Sequence, residues 1–171
     1  MDELNRKSVD DFKDSEKLPI VVLLDDIRSL HNIGSVFRTG DAFAVEKILL
    51  CGITARPPHR EIQKTALGAT ESVDWEHKEN CSDAVLELKE AGYLVFGVEQ
   101  VASSQSLDTV ELNPNQPVAL VFGNEVKGVS QSVLDCCNDF IEIPQDGTKH
   151  SLNISVSVGV VLWELRKIFK A

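Results

Sequence analysis

Val118-Ala119-Leu120-Val121-Phe122-Gly123-Asn124-Glu125-Val126-Lys127-Gly128-Val129-Ser130 is the stretch on which the fold turns. Pro117 stands before five apolar residues, a run short for a helix and rich enough in valine and phenylalanine to read as a strand. The run stops at a turn with glycine at both ends and polar side chains between them. Small and polar residues placed where an apolar run ends are how α/β domains build their sites. Backbone groups of such a turn can grip a ligand, and Glu125 brings a carboxylate to the same place.

Working outward, residues 20–24 form a continuous β-branched and leucine run that reads as a buried parallel strand. Asn32 then reads as the N-cap of a helix in which Ile33, Val36 and Phe37 recur at helical spacing and which ends near Ala44. Residues 45–51 give the next strand, closed by Gly52. Pro57 and Pro58 mark a loop before a short helical piece through Lys64 and Leu67. Residues 72–75 read as a short strand, Ser82 as the cap of a helix running to Gly92, and residues 93–98 as a further strand. Beyond the opening stretch, residues 132–137 read as helical and residues 140–143 as a last short strand. The alternation specifies an α/β fold with a mainly parallel sheet flanked by helices.

The end of the chain is ambiguous by pattern. Leu152, Ile154, Val156, Val158 and Val160 alternate with polar or small residues as a strand does, while residues 162–169 score as a helix. As one long helix, Ser155 and Gly159 fall at i, i+4 and make a small-residue face for close packing.

At 171 residues and 43% hydrophobic, the chain has the size of one domain, residues 18–171, behind a polar leader of mixed charge at residues 1–17. That leader is neither a signal peptide nor an anchor, and no apolar run is long enough to span a bilayer. Cys136 and Cys137 are adjacent while Cys51 and Cys81 stand alone, so there is no metal spacing and no disulfide framework. The expectation is reduced thiols in a cytoplasmic protein with no metal and no membrane contact. A net charge of -10 argues against a broad hold on nucleic acid, although Arg56-His59-Arg60-Lys64 and Arg166-Lys167-Lys170 are local basic clusters.

Gly123 and Gly128 have the glycine spacing of a phosphate loop, but Val129 stands where its lysine belongs, and Glu125 would set a negative charge inside the cradle. No dinucleotide fingerprint is present. Taken one at a time, the remaining residues have ordinary readings. Gly123 and Gly128 serve a strand-to-helix turn, Asn32 caps, Arg38 pairs with Asp41 at i+3, and Ser151 and Asn153 start the last helix. His31 and His150 are bystanders.

Their combination changes the reading. His31-Asn32-Ile33-Gly34-Ser35-Val36-Phe37-Arg38-Thr39-Gly40-Asp41-Ala42-Phe43 resembles the first motif of the SpoU-type RNA 2′-O-ribose methyltransferases of the SPOUT superfamily. Residues 122–130 resemble the second motif. Ile143-Pro144 with Ser151-Leu152-Asn153-Ile154-Ser155-Val156 resembles the third. All three occur in the family's order, from about residue 20 to residue 169.

The resemblance implies a C-terminal trefoil knot, a helix after Ser151, and a homodimer paired partly through that helix. It implies S-adenosylmethionine held by backbone groups around Gly123, Ile143 and Leu152, with Glu99 a further candidate. It also implies a ribose 2′-hydroxyl of tRNA or rRNA as the target. Arg38 is then the central catalytic residue, oriented by Asn32, with Glu125, Ser151 and Asn153 completing the site. Because a guanidinium keeps its proton, donating hydrogen bonds to the target oxygen or the adjoining phosphate is an easier task for Arg38 than deprotonation. Ala44 stands where the family commonly has glycine, a change read as conservative for packing. With only the charged leader before the first strand, intrinsic RNA affinity is expected to be weak. A non-catalytic RNA-binding factor and a base-directed methyltransferase are the rival readings.

Overall fold

The computed structural model describes residues 7–148 and 151–170. In chain order the elements are α1 (Val9–Asp14), β1 (Leu18–Asp25), α2 (Leu30–Phe43), β2 (Val45–Cys51), α3 (Arg60–Ala66), α4 (Ala69–Ser72) and β3 (Trp75–Lys78). They continue as α5 (Cys81–Glu90), β4 (Leu94–Val98), β5 (Gln105–Ser106), β6 (Val118–Phe122), α6 (Gln131–Leu134), β7 (Asp139–Glu142) and α7 (Ile154–Phe169). One seven-stranded sheet has the order β3-β2-β1-β6-β4-β7-β5. Every pairing in it is parallel.

The two central strands explain why. β1 and β6 are apolar along both faces, and successive side chains feed opposite layers. Ile20, Val22 and Leu24 join Ile33 and Phe37 of α2 and Val158 and Leu162 of α7 in one core. Val21 and Leu23 join Ala84 and Val85 of α5 and Val133 of α6 in the other. Helices therefore cover both faces, as the alternation of elements requires.

Several boundaries differ from the sequence reading. Ser29, not Asn32, caps α2, accepting from the N–H of Asn32 at 3.2 Å, so Asn32 lies in the first turn with its side chain free for other partners. Asn80 rather than Ser82 caps α5. Residues 72–75 are not a strand: Ser72 ends α4 and β3 begins at Trp75. Part of the leader is helical, α1 closing its first turn with a capping box between Ser8 and Asp11 and burying Phe12 against the main core.

The C-terminal ambiguity resolves as a helix, whose small face packs as expected. Gly159 lies against Thr39 of α2, 4.0 Å from where a Cβ would sit. Ala44 is not simply conservative. It closes α2 in the left-handed region at φ 51°, where a Cβ is strained. Ala44→Gly is expected to stabilise the fold by about 1 kcal/mol, read as a higher midpoint in urea with an unchanged slope.

Candidate active site

The carboxyl ends of β4, β6 and β7 run side by side, with Val121 opposite Gly97 and Ile141 opposite Val98. A cavity of about 510 Å³ opens there, within the size range of small-molecule sites. Its floor is the turn that follows β6. Asn124 and Gly128 pair through both backbone groups at 3.0 and 2.8 Å, and Gly128 takes φ +69° to allow it. The Asn124 Oδ1 accepts from the N–H groups of Val126 and Lys127, while its Nδ2 donates to the Asp26 carbonyl at 2.8 Å. Glu99 accepts from the Val129 N–H at 3.1 Å. Buried Asp25 accepts from both the N–H and the hydroxyl of Ser130, at 3.2 and 3.0 Å.

Gly123 has a different reason from the one the turn suggests in sequence. A Cβ there would overlap the backbone of Gly128 and Val129, so glycine is required for the turn to fold on itself rather than for a ligand to come near.

At the mouth of the cavity three distant segments meet. Asn32 Nδ2 donates to Glu125 Oε1 at 3.2 Å, and Asn153 Nδ2 donates to Asn32 Oδ1 at 3.2 Å. The N–H groups of Arg28 and Ser29 also approach Glu125, at 3.4 and 3.3 Å. α2 has no acidic residue in its first turn, so Glu125 supplies from outside the negative charge that its N-terminus favours. Asn153 is indeed the cap of α7, accepting from the Ser155 N–H at 2.9 Å, and it reaches Asn32 as well.

Partial burial pushes the Glu125 carboxyl up. Hydrogen bonds from its own N–H, Asn32, Arg28 and Ser29 outweigh that and hold it below the ordinary value of 4.5. A depressed carboxyl stabilises the fold above its unfolded value, and that contribution is lost as pH falls through the lower folded value. Glu125→Gln is therefore expected to melt below the wild type at pH 7. The gap should close as the pH is taken below about 4.5, as thermal denaturation across pH 7 to 3.5 would record.

Of the candidate residues, Glu99, Gly123, Glu125, Ile143, Ser151, Leu152 and Asn153 line the cavity, and Asn32 joins them by hydrogen bonds. Arg38 does not. It lies six residues along α2 from Asn32, about 9 Å of rise, and is exposed at a second cavity. Among the described residues it makes no ion pair, and Asp41 instead accepts from the Ser72 hydroxyl at 2.5 Å. His31 meets Glu61 at 3.1 Å, away from the cavity lining. His150 lies outside the described residues. Asp25 and Asn124 escaped the sequence reading. An acid ending an otherwise apolar strand and an asparagine directly after Gly123 were the available signals.

The lining favours one ligand chemistry. Glu99, Glu125 and Glu142 contribute carboxylates, Gln100, Asn124 and Gln145 contribute amides, and Lys127 is the one cation among the lining residues. Ile143, Leu152 and Ile154 add an apolar side. Such a wall suits a ligand with a positive centre and neutral hydrogen-bonding groups, and it opposes a polyphosphate. Among the described residues no group of three or more histidines, cysteines or acids is placed to hold a metal ion, and no helix is long and apolar enough to cross a membrane.

Fold and cavity together define a parallel α/β domain with a carboxylate-walled cavity at the carboxyl edge of its sheet. The chain belongs to the SpoU rRNA methylase family, whose model matches residues 19–163. It is 30% identical over 162 residues to the 23S rRNA (guanosine-2′-O-)-methyltransferase RlmB of Vibrio parahaemolyticus, covering 95% of this chain and 64% of that protein. With a TrmH-family tRNA/rRNA methyltransferase homologue of Staphylococcus haemolyticus it shares 34% over 153 residues, 90% of this chain and 60% of the relative. The chain thus spans about 60% of the length of the curated relatives it matches. A TrmH/SpoU tRNA modifying enzyme of A. aeolicus superposes with a TM-score of 0.83 at 25% identity, over 95% of this chain and 81% of that one. An AdoMet-bound rRNA methyltransferase of Sinorhizobium meliloti gives 0.81 at 28%, over 91% and 59%.

Proposed function

We propose that this domain transfers a methyl group from S-adenosylmethionine to a ribose 2′-hydroxyl of tRNA or rRNA. The observation that carries the reading is the meeting of Asn32, Glu125 and Asn153, from three separate motifs, at the mouth of a carboxylate-walled cavity. Family membership supports it, as do the S-adenosylmethionine bound by the S. meliloti relative and the guanosine 2′-O target of the V. parahaemolyticus relative.

S-adenosylmethionine, when bound, supplies an electrophilic methyl on a cationic sulfur. The acidic wall accommodates that charge, and the turn at Gly123 with Ile143 and Leu152 shapes the slot. Glu125 remains ionised and holds Asn32 and the start of α2, so its task is positioning rather than proton removal. Asn32 and Asn153 then orient the ribose. Arg38 donates from its guanidinium to the 2′-oxygen or its neighbouring phosphate and stabilises the negative charge that develops as the hydroxyl proton passes to water.

Because Arg38 is absent from its own protomer's cavity lining, we assign it to the cavity of a second copy. A homodimer is supported by α7, where Val156, Val160 and Trp163 form an exposed apolar stripe at 50%, 38% and 56% exposure. The path of the chain supports a trefoil knot. β7 pairs toward the β5 edge, yet α7 returns to pack on α2 and β1, and Ile143, Gln145, Ser151, Leu152 and Asn153 line the same cavity as the turn after β6. Four free cysteines, two of them fully buried, accord with a reducing cytoplasm.

Labelled methyl transfer from S-adenosylmethionine to unmodified tRNA and rRNA pools tests the enzyme reading. Stable incorporation is expected. Absence of both incorporation and cofactor binding would favour the non-catalytic RNA-binding alternative.

A further inference from the structure

The second cavity, about 700 Å³, lies where the C-terminal half of α2 meets the start of α1, the α3–α4 connection and the last turn of α7. We propose that it is a phosphate-backbone subsite, holding phosphodiesters that flank the target nucleotide of the RNA. This rests on the RNA reading above and adds a binding surface apart from the cofactor cavity.

Four cations line it: Lys7, Arg38, Arg166 and Lys170. The whole chain has 27 acidic against 17 basic residues, so a space bordered by four cations and two carboxylates runs against its overall charge. Lys47, Lys64, Lys78 and Lys167 each hold a carboxylate within 4.0 Å, whereas none of the four cavity cations makes an ion pair among the described residues. Two carboxylates, Asp41 and Glu71, also border the space. Asp41 is engaged by the Ser72 hydroxyl, and the balance of four against two stays positive.

Complementing the C-terminal dipole of α7 explains Arg166 and Lys170 but not Lys7 or Arg38, which come from two other parts of the chain. Arg166 and Lys170 stand at i, i+4 on one face, while Lys167 between them pairs with Glu164 at 2.7 Å. Mobile cations that meet no acid of their own are the groups that neutralise phosphates and release counterions. Arg38 ties the cavity to the chemistry, since the same guanidinium that addresses the ribose stands in its wall.

Retention of unmodified bulk tRNA on filters, titrated from 20 to 200 mM salt, tests the subsite on the full chain. Arg166→Ala/Lys170→Ala removes two phosphate contacts and is expected to flatten the slope of log affinity against log salt by about 1.4 to 1.8. Affinity at low salt should fall about tenfold or more, with S-adenosylmethionine binding unchanged and the protein still folded. Lys47→Ala/Lys78→Ala carries the same charge change on β2 and β3 and should leave the slope intact. An unchanged slope in the cavity variant, an equal loss in the β2–β3 variant, or no tRNA retention by the wild type would each overturn the proposal. A cavity-dependent slope in a protein that transfers no methyl group would keep the subsite and remove the methyltransferase reading.

Discussion

Arg38→Ala is expected to lower methyl transfer to RNA by about 10²- to 10³-fold, the range set by loss of a positioned charge-stabilising donor. Binding of S-adenosylmethionine should be retained, because every residue that lines the carboxylate-walled cavity is left in place. The pairing of those two outcomes separates a catalytic loss from a folding defect. Arg38 is exposed and makes no ion pair among the described residues, so its truncation removes little packing and leaves no buried partner unpaired. Surface changes of this kind move stability by about 0.5 kcal/mol or less. An Arg38→Ala protein that methylates RNA at the wild-type rate would end the assignment of Arg38.

Gly123→Ala is expected to fail one step earlier. A single methyl group at this position meets the backbone of Gly128 and Val129, and backbone cannot rotate aside as a flexible side chain can. The turn must open, releasing the Asn124–Gly128 pairing and the Val129 bond to Glu99. We expect S-adenosylmethionine affinity to fall about 100-fold or more, equivalent to about 2.7 kcal/mol or more, by equilibrium dialysis. The sheet beneath is held by the two cores and should stay folded. The two variants also complement each other. If Arg38 serves the cavity of a second copy, mixing the inactive proteins and allowing subunits to exchange gives heterodimers with one intact composite site. About a quarter of wild-type activity should return at equal mixing, from one intact site in half of the dimers. No recovery in a mixture shown to exchange would place Arg38 in its own protomer's site.

How much of this was legible beforehand depended on the reach of each signal. The strands of the sheet centre were readable because an uninterrupted apolar run such as residues 118–122 carries its own evidence of burial on both faces. Strand β5, two residues long, carries no such evidence and exists only because Gln105 and Ser106 find β7 beside them. Asn32 as a cap was a sound local inference that lost to Ser29, three residues earlier, which performs the same task. The displaced asparagine then became available to Glu125, 93 residues away, a partnership no local pattern encodes. Alternation at residues 152–160 suggested a strand because one face of α7 is buried while Val156 and Val160 remain exposed, so apolar residues occupy both. Family resemblance, rather than periodicity, resolved that segment. Arg38 shows the reverse limit. Its motif identified it, and only the fold revealed that it faces a different cavity from its motif partners.

The same geometry makes the two cavities chemically unlike. The first is walled by three glutamates and is suited to a cationic donor. The second gathers arginine and lysine from α2, α7 and the residue before the α1 cap. α2 joins them, with Asn32 bound to the first and Arg38 exposed to the second.

The most direct measurement of the central claim is the position of the transferred methyl group. RNA methylated by the protein is digested to nucleosides and analysed by mass spectrometry, alongside alkaline hydrolysis of the intact product. The account predicts that the methyl resides on the ribose of one nucleotide, which makes the following phosphodiester resistant to alkali. A methyl found on a base, with that linkage still cleaved, would contradict it.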